Sequence, residues 1–262
     1  MLKPIVNRMR RFKADFLDQE MARHGVFRTT VLRPKDTMIV GFPKSGHTWM
    51  QSLIANVKYG VDPRIADDHL IQDLVPDLHQ RRWHKRYGKS MCFKSHMLPR
   101  KDFKRVIYLI RDGRDVMVSY YHFRRAWGYN GSLVDLITEE HPLYATWSHH
   151  VATWLDNPYG AHILYVRYEN MLNDSVGTLR QICDFLSLET SEEELEAAAF
   201  RSSFQNMRAK EDKFGRPNKD WPADRKFMRR GIAGSWKDEM PPDVEKAFLT
   251  VAGPTMQRIE GL

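Results

Sequence analysis

The chain has 262 residues, 42% of them hydrophobic and 11% aromatic, which is enough to bury the core of one large α/β domain or two small ones. Its 41 Lys and Arg residues against 33 Asp and Glu give a formal charge of +8, which suits an anionic ligand, a nucleic acid or an acidic membrane surface without choosing among them. Cys92 and Cys183 lie too far apart for a disulfide framework or a metal-binding spacing, and no apolar run approaches the roughly 18 residues of a membrane helix.

The N-terminal segment, residues 1–30, is basic and roughly amphipathic. It lacks the apolar stretch of a secretory signal, and Asp15, Asp18 and Glu20 are atypical of a transit peptide. The segment therefore predicts a helical element packed on the surface of the domain. Together with the absence of a disulfide framework, it indicates a cytoplasmic protein without stable membrane insertion.

Short apolar runs alternate with longer mixed stretches along the chain. The runs predict strands over Thr37–Phe42, Met91–Phe93, Arg105–Ile110 and His162–Val166. The longer stretches predict helices over Thr48–Lys58, Asp115–Ala126, Leu143–Leu155, Ser175–Leu186, Glu192–Arg201 and Asp243–Ile259, with irregular segments over Tyr59–Ser90 and Lys210–Arg230. This alternation predicts an α/β fold, a single domain over residues 1–262 with a central parallel β-sheet flanked by helices and functional residues at the carboxyl ends of the strands.

The first such strand end reads MIVGFPKSGHTW and nearly matches the P-loop pattern for binding nucleotide phosphates. Gly41, Gly46 and Thr48 are in register, but His47 occupies the lysine position and the lysine appears three residues earlier, as Lys44. A strand, a Gly/Pro turn and a helix N-terminus together form a phosphate-binding element. The alternative is an ordinary turn that carries a solvated lysine.

Neighbouring side chains in this turn have groups that suit a nucleotide. Ser45 and Thr48 supply hydroxyl donors, and Trp49 has a ring that can stack on a base. After the next predicted strand, His96 is the preferred candidate for a general base, because a histidine titrates near neutrality. A histidine satisfied by structural hydrogen bonds is the alternative for His96.

Arg111 follows the predicted strand Arg105–Ile110 at its carboxyl end, where a guanidinium can clamp a phosphate, and Ser119 lies in the next predicted helix. Asp115 has the character of a helix N-cap. In the rival interpretation, Asp112 holds Mg²⁺ in a kinase or NTPase that uses Mg-ATP. Near the C-terminus, Arg229, Arg230 and Gly231 combine two cations with a turn and predict a further anion site, with a basic surface loop as the alternative.

These four segments, in this order, resemble the cytosolic-type sulfotransferase family, from about Met38 to Lys237. The matching stretches read FPKSGHTW, FKSH, RDGRDVMVSYYHF and FMRRGIAGSWK, with weaker matches at ILYVRYENM and SSFQNM. The resemblance implies transfer of a sulfuryl group from the co-substrate 3′-phosphoadenosine 5′-phosphosulfate (PAPS) to a hydroxyl or amine, with 3′-phosphoadenosine 5′-phosphate (PAP) as product and no metal required.

Positions carried over from the family motifs imply individual roles. His96 is the base, Lys94 assists it, and Lys44 stabilises the leaving phosphate. The implied cofactor-binding residues are Lys44, Ser45, Gly46, His47, Thr48, Trp49, Arg111, Ser119, Tyr168, Ser202, Phe204, Met207, Arg229, Arg230 and Gly231.

Two positions depart from the family pattern. His47 stands where the family usually has Thr, which leaves the backbone N–H in place. Pro241 and Pro242 replace the Thr-Val of the family's dimer motif, so that dimer is not predicted and the oligomeric state stays open.

The predicted partner is a small-molecule acceptor and not a nucleic acid. A hydroxyl is the default acceptor group, and a sugar or an amine stays open. A third interpretation is a non-catalytic basic module that binds RNA or a membrane. It is disfavoured because the Arg and Lys residues recur at strand ends, which favours a nucleotide pocket over one charged face.

Overall fold

The computed structural model describes residues 16–215, 221–222 and 224–262. The strands are β1 (Val26–Arg28), β2 (Thr37–Val40), β3 (Trp83–Lys85), β4 (Cys92–Ser95), β5 (Arg105–Ile110) and β6 (His162–Arg167). The helices are α1 (residues 16–23), α2 (His47–Tyr59), α3 (Asp68–Leu74), α4 (Gly113–Ala126), α5 (Leu133–Thr138), α6 (Trp147–Asp156), α7 (Tyr168–Asn173), α8 (Ser175–Leu186), α9 (Glu192–Arg201), α10 (Phe204–Phe214) and α11 (Pro242–Glu260), with a 3₁₀ turn at Ser235–Asp238.

The central sheet has four strands in the order β4-β2-β5-β6, and all neighbours pair in parallel. Val40 pairs with Ser95 on one side and with Tyr108 on the other, while Ile110 pairs with Arg167. The carboxyl ends of the four strands therefore meet at one edge of the sheet. The predicted α/β fold with a central parallel sheet flanked by helices is confirmed.

Alternating side chains of the strands divide the core into two parts. In β5, Val106, Tyr108 and Ile110 join a cluster with residues of α4, α5, α6 and α11, whereas Ile107 and Leu109 join a cluster with residues of α2, α8 and α9. A strand presents successive side chains to opposite faces, so a strand buried on both faces is apolar at nearly every position. Two helical layers therefore hold the strand ends in fixed positions.

Several predicted boundaries were correct and others were wrong. The strand Arg105–Ile110 and the helices Ser175–Leu186 and Glu192–Arg201 match the structure. The strand predicted to run to Phe42 ends at Val40, where the turn containing Pro43 begins. The helix predicted from Leu143 begins at Trp147, because the Thr146 side chain accepts a hydrogen bond from the His149 N–H and caps it.

Two further predictions need correction. Asp115 does not cap α4; the helix begins at Gly113, and the Asp112 side chain accepts from the Arg114 N–H. The segment Tyr59–Ser90 is not wholly irregular, since it contains α3 and β3, and Lys210–Arg230 includes the end of α10. Tertiary contacts stabilise these short elements despite their weak periodicity.

The N-terminal segment falls partly outside the described residues. Residues 16–23 are helical, and the Asp18 carboxylate pairs with Arg28 Nε at 2.7 Å, which ties α1 to β1. Residues 1–15 lie outside the described range, so the prediction of one packed helical segment over residues 1–30 stays a prediction. Among the described helices, none is both long and apolar enough to cross a membrane.

Candidate active site

A cavity of about 770 Å³ lies at the carboxyl edge of the sheet. Residues from the ends of β2, β4 and β5 line it together with residues of α10 and the segment after α10. The predicted site residues on its wall are Lys44, Gly46, His47, Thr48, Trp49, Lys94, His96, Arg111, Ser119, Tyr168, Phe204, Met207, Arg229, Arg230 and Gly231. Ser45 and Ser202 are buried beside these residues and are not part of the described cavity wall.

The turn between β2 and α2 forms a tight loop at the cavity. Gly46 is the N-cap of α2 with φ 108°, and a Cβ at this position would lie 3.0 Å from the Tyr168 ring. Glycine is therefore required both by the left-handed backbone and by the close approach. The N–H groups in the first turn of α2 have no intrahelical acceptor, and the helix dipole adds positive potential there, so the loop can hold an anion.

Lys44 extends from this loop toward the segment after α10. Its Nζ lies 3.8 Å from the centre of the Phe227 ring and 4.9 Å from that of Phe123. Its backbone has φ 74°, a left-handed conformation that is uncommon for a residue with a side chain. The loop thus accepts local strain to place an ammonium group in the cavity.

Arg111, at the end of β5, is 8% exposed and connects two loops. Its Nη1 donates to the Lys44 carbonyl at 3.2 Å, its Nη2 donates to the Ile232 carbonyl at 3.5 Å, and its guanidinium lies 4.3 Å from the centre of the Tyr168 ring. Its Nε is buried without a hydrogen-bonding partner among the described residues. Such an unsatisfied donor in a cavity wall indicates a site for an anion.

His96 has the tautomer that a general base needs. Its Nδ1 lies 2.9 Å from the Gly41 carbonyl oxygen, which only accepts hydrogen bonds, so Nδ1 carries the proton and Nε2 keeps its lone pair. Burial, followed by the neighbouring charge of Lys94, lowers the pKa of His96 to about 3. His96 is therefore neutral, with a free lone pair on Nε2, in the free protein near pH 7.

A family model for the sulfotransferase domain matches residues 34–260 of the chain. The chain belongs to the sulfotransferase family. Sulfotransferase 2A1 of Rattus norvegicus is 29% identical over 241 residues, and rat Sulfotransferase 2A6 is 30% identical over 241 residues; each alignment covers 83% of both chains. The prediction of a sulfotransferase is confirmed, and the chain is an enzyme that transfers a sulfuryl group.

Solved structures agree on the fold. Retinol dehydratase in complex with androsterone and inactive cofactor PAP superposes with a TM-score of 0.67 at 20% identity, covering 84% of this chain and 80% of that one. Mouse sulfotransferase SULT7A1 complexed with PAP gives a TM-score of 0.59 at 21% identity, with 82% of each chain covered. At this identity the likeness establishes the architecture alone.

The backbone of His96 is held by two other histidines of this sulfotransferase. Its N–H donates to His79 Nε2 at 3.0 Å, and its carbonyl accepts from His150 Nε2 at 3.1 Å. His150 Nδ1 in turn accepts from the Tyr108 hydroxyl at 2.9 Å. Neither His79 nor His150 was singled out from the sequence, because their role depends on contacts between distant segments.

Lys94 lines the cavity and also pairs with a carboxylate. Its Nζ forms a 2.8 Å ion pair with Asp77, and both side chains are largely buried. Burial acts against ionisation of Asp77, but the charge and hydrogen bond of Lys94 outweigh it and hold the pKa of Asp77 below its usual value. The ion pair keeps Lys94 close to His96.

His47 is buried at the start of α2, and neither ring nitrogen has a hydrogen-bonding partner among the described residues. Its ring centre lies 4.3 Å from that of His96 in an edge-to-face arrangement with an interplanar angle of 68°. Burial, then the proximity of His96 and Lys94, holds the pKa of His47 well below its usual value. A buried unsatisfied polar group costs about 1–3 kcal/mol, so an apolar residue would pack here at lower cost.

Asp115 anchors the C-terminal part of the site. Its carboxylate is fully buried and accepts from the Gly234 N–H at 2.7 Å, the Ser235 hydroxyl at 3.0 Å and the Trp236 N–H at 2.9 Å. This contact joins α4 to the segment that carries Arg229–Gly231. The sequence suggested only a helix cap for Asp115, because its partners lie about 120 residues away.

The arginines of that segment are held by acidic partners. Arg229 pairs with Glu239 at 2.5 Å, and Arg230 pairs with Asp238 at 2.9 Å and with Glu239 at 3.2 Å. Arg229 Nε is buried without a partner among the described residues. The carboxylates thus preorganise the guanidinium groups but leave one donor of Arg229 for a ligand.

Gly231 allows the same segment to pack closely on α10. It has φ 66°, and a Cβ there would lie 2.1 Å from the Phe204 ring. The Glu211 carboxylate of α10 accepts from the N–H groups of Phe227 at 2.6 Å and Met228 at 2.8 Å. Helix α10 therefore fixes the segment whose arginines line the cavity.

Aromatic side chains form the wall of the cavity on the side of α4. They are Tyr120, Phe123, Trp127, Tyr144, Trp221 and Phe227. The Tyr120 and Tyr144 hydroxyls lie 2.6 Å apart, and the Tyr144 ring stacks on His141 at 3.8 Å. This wall offers a broad apolar surface with two hydroxyl groups on the same side of the cavity as His96.

Acid is expected to destabilise the enzyme through its buried histidines. Burial lowers the pKa of His84 to about 4 and that of His150 to about 3, whereas an unfolded histidine titrates near 6.5. Between about pH 6.5 and 4 the unfolded state therefore binds protons that the folded state does not, and stability falls as pH falls. Each such histidine adds a slope of up to about 1.4 kcal/mol per pH unit.

Urea unfolding at pH 7, 6 and 5 checks this prediction. His84→Phe removes one of these groups away from the cavity and should flatten the dependence of the unfolding free energy on pH. A slope identical to that of the unsubstituted enzyme would contradict the role of His84.

Proposed function

We propose that the enzyme transfers the sulfuryl group of PAPS to a hydroxyl or amine of a small-molecule acceptor and releases PAP. The observation that carries the proposal is a set of buried, unpartnered donors on the predicted cofactor residues: Trp49 Nε1, Arg111 Nε, Ser202 Oγ and Arg229 Nε. Buried donors are normally satisfied, so these four are suited to a polar ligand such as an adenosine bisphosphate.

The residues fit the parts of the cofactor in turn. The loop of Lys44–Trp49 would hold the 5′-phosphosulfate at the start of α2. Arg111, Ser119 and the segment Arg229–Gly231 would hold the 3′-phosphate, whose oxygens then satisfy the free Nε donors. The adenosine would lie among Trp49, Tyr168, Ser202, Phe204 and Met207, where the Trp49 and Tyr168 rings are 5.7 Å apart and near perpendicular.

In the proposed reaction, an oxygen or nitrogen of the acceptor attacks sulfur in line with the bridging oxygen. The new bond to sulfur forms as the bond from sulfur to the bridging oxygen breaks, and the electron pair stays on the 5′-phosphate of PAP. His96 Nε2 takes the proton of the acceptor, and Lys44 Nζ stabilises the charge on the bridging oxygen. Lys94 assists beside the base.

The anionic cofactor makes His96 a competent base. A pKa near 3 suits proton removal poorly, but negative charge on the phosphosulfate favours the imidazolium form and raises the pKa of His96. Proton transfer is thereby coupled to cofactor binding. A sulfuryl group carries less charge than a phosphoryl group, so we propose that Lys44 takes the place of a metal ion.

The acceptor is proposed to be a small molecule with an apolar body and a hydroxyl. The aromatic wall suits such a body, and the solved neighbours bind androsterone and retinol. A sugar or an amine is the second candidate, because Asp77 and His79 also line the cavity. The competing assignment to Mg-ATP chemistry is disfavoured because the Asp112 carboxylate is engaged by the Arg114 side chain at 2.7 Å.

The remaining proposals concern the chain as a whole. We propose that residues 1–262 form one sulfotransferase domain that works in the cytoplasm on small molecules and not on nucleic acid. Pro241 is the N-cap of α11 and Pro242 is its first residue, and prolines have no backbone N–H to donate. A dimer through this segment is therefore disfavoured.

Thermal unfolding with PAP, 5′-AMP and Mg-ATP tests the cofactor assignment. A ligand at a hundred times its Kd adds about 2.7 kcal/mol, which corresponds to about 5–10 °C for a chain of this length. We expect that shift with PAP, a smaller one with 5′-AMP because the 3′-phosphate is missing, and no change with a chelator. A shift with Mg-ATP alone would overturn the proposal and favour a kinase or NTPase.

A further inference from the structure

Three histidines surround the base, and only one has an unused nitrogen lone pair. His79 Nε2 accepts from the His96 N–H, so its Nδ1 carries the proton. His150 donates through Nε2 to the His96 carbonyl and accepts through Nδ1 from the Tyr108 hydroxyl. Both nitrogens of His47 lack partners among the described residues, although its ring lies against that of His96.

We propose that His47 is a positioning residue for the base, whose free imidazole nitrogen accepts a hydrogen bond from His96 once His96 has taken the proton of the acceptor. This inference rests on the proposed function, since it concerns the same proton. It goes beyond the role carried over for position 47, which involves the backbone N–H of the phosphate loop and not the side chain.

The chemistry follows from the two states of His96. In the neutral state, Nδ1–H donates to the Gly41 carbonyl and Nε2 is an acceptor. After proton transfer, both nitrogens carry hydrogen, and Nε2–H needs an acceptor while the product leaves. A neutral imidazole always has one nitrogen with a lone pair, so His47 can provide it without gaining or losing a proton.

The charged and imidazole groups around the pair are already engaged, and the Tyr120 and Tyr144 hydroxyls bond to each other at 2.6 Å. Lys94 carries three donors and no acceptor, His79 and His150 are engaged as described, and Asp77 is paired with Lys94 at 2.8 Å. The missing side chain of Gly41 makes room for the imidazole, because a Cβ there would lie 3.1 Å from His47 Cε1. The loop is thus built around a ring at position 47.

A second buried histidine provides a matched control. His84 is also 4% exposed with both nitrogens unpartnered among the described residues, but its ring packs on Phe93 at 4.8 Å, edge to face. It is not among the residues of the described cavity wall. If an unpartnered imidazole were only a packing feature, substitutions at His47 and His84 would have the same effect on His96, namely none.

Side-chain NMR of the PAP-saturated protein tests the inference by following the titration of His96. We compare the unsubstituted protein with His47→Phe, His47→Gln and His84→Phe, and we measure the PAP-induced thermal shift of each. Phenylalanine keeps the ring contact but removes the acceptor, whereas the glutamine amide restores one. If the Phe variant does not fold, His47→Leu, which also has no acceptor, replaces it.

We expect His47→Phe to lower the pKa of His96, so that about tenfold less imidazolium is present at a given pH. His47→Gln should recover part of this loss, and His84→Phe should change nothing. The inference would be overturned, and the proposed function left standing, by either of two results. One is an unchanged pKa of His96 in His47→Phe with PAP bound, and the other is a His96 that stays neutral in the PAP complex. Failure of PAP to stabilise the unsubstituted protein would overturn the proposed function and this inference with it.

Discussion

Substitution of His96 by alanine is expected to lower kcat by about 10²–10⁴-fold and to leave the affinity for PAP nearly unchanged. The loss follows if His96 is the base as proposed, with Nε2 taking the proton of the acceptor while the Gly41 carbonyl holds the ring in the required tautomer. The cofactor contacts assigned to the loop around Gly46 and to Arg111 do not involve the imidazole. The measurement is kcat with PAPS and the acceptor found by screening, beside the Kd of PAP from calorimetry.

The control for this substitution is His84→Ala, which removes another buried histidine outside the described cavity wall. It should reduce stability but not kcat measured on the folded enzyme. An affinity for PAP that falls as far as turnover in His96→Ala would show that the imidazole binds the cofactor, and the assignment of the base would then be wrong.

Substitution of Asp115 by alanine is expected to lower both stability and the affinity for PAP, although Asp115 is not among the residues proposed to bind PAP. It removes the buried carboxylate that accepts from the Gly234 N–H, the Ser235 hydroxyl and the Trp236 N–H. Leaving such donors unpaired should lower the free energy of unfolding by about 3–5 kcal/mol. Because the released segment carries Arg229 and Arg230, the affinity for PAP should fall as well.

Asp112→Ala is the matched substitution, at the N-cap of the same helix. Asp112 caps α4 and pairs with Arg114, so its loss should cost about 1 kcal/mol and leave PAP binding close to normal. Denaturant unfolding and calorimetry with PAP distinguish the two carboxylates. Equal effects of both substitutions would contradict the anchoring role of Asp115.

The two predictions bear on different parts of one cavity. The substitution of His96 tests the proposed proton transfer, whereas that of Asp115 tests the geometry of the proposed 3′-phosphate site. Asp115 binds Trp236, and the neighbouring Asp238 and Glu239 pair with Arg230 and Arg229. Loss of Asp115 should therefore disturb both arginines. An enzyme that retains PAP binding after loss of His96 but loses it after loss of Asp115 would separate the proposed chemistry from cofactor binding.

Much of the architecture could be predicted from local patterns. The strand Arg105–Ile110 is apolar at nearly every position because helices cover both faces of the sheet, and this pattern is visible without coordinates. The turn Gly41–Gly46 and the helix after it also follow from residue types, since glycine and proline constrain the backbone locally. Parallel pairing of the strands then brings Lys44, His96 and Arg111 to one edge.

Other features depend on contacts that no local pattern contains. Asp115 suggested a helix cap, yet its carboxylate binds a segment about 120 residues later. The β3 strand likewise forms by antiparallel pairing with the distant β1. The tautomer of His96 likewise depends on a carbonyl 55 residues earlier. Long-range hydrogen bonds of this kind have no periodicity to detect.

The sequence by itself determined the strand-end motifs, the phosphate-binding turn and the family to which the chain belongs, because these depend on short-range backbone geometry and residue type. Only the tertiary structure decided which side chains complete the site. The burial of His47 against His96, the ion pair of Lys94 with Asp77 and the anchoring by Asp115 arise when distant segments exclude water together. Desolvation and charge proximity then set the pKa of each histidine, and both are properties of the folded chain.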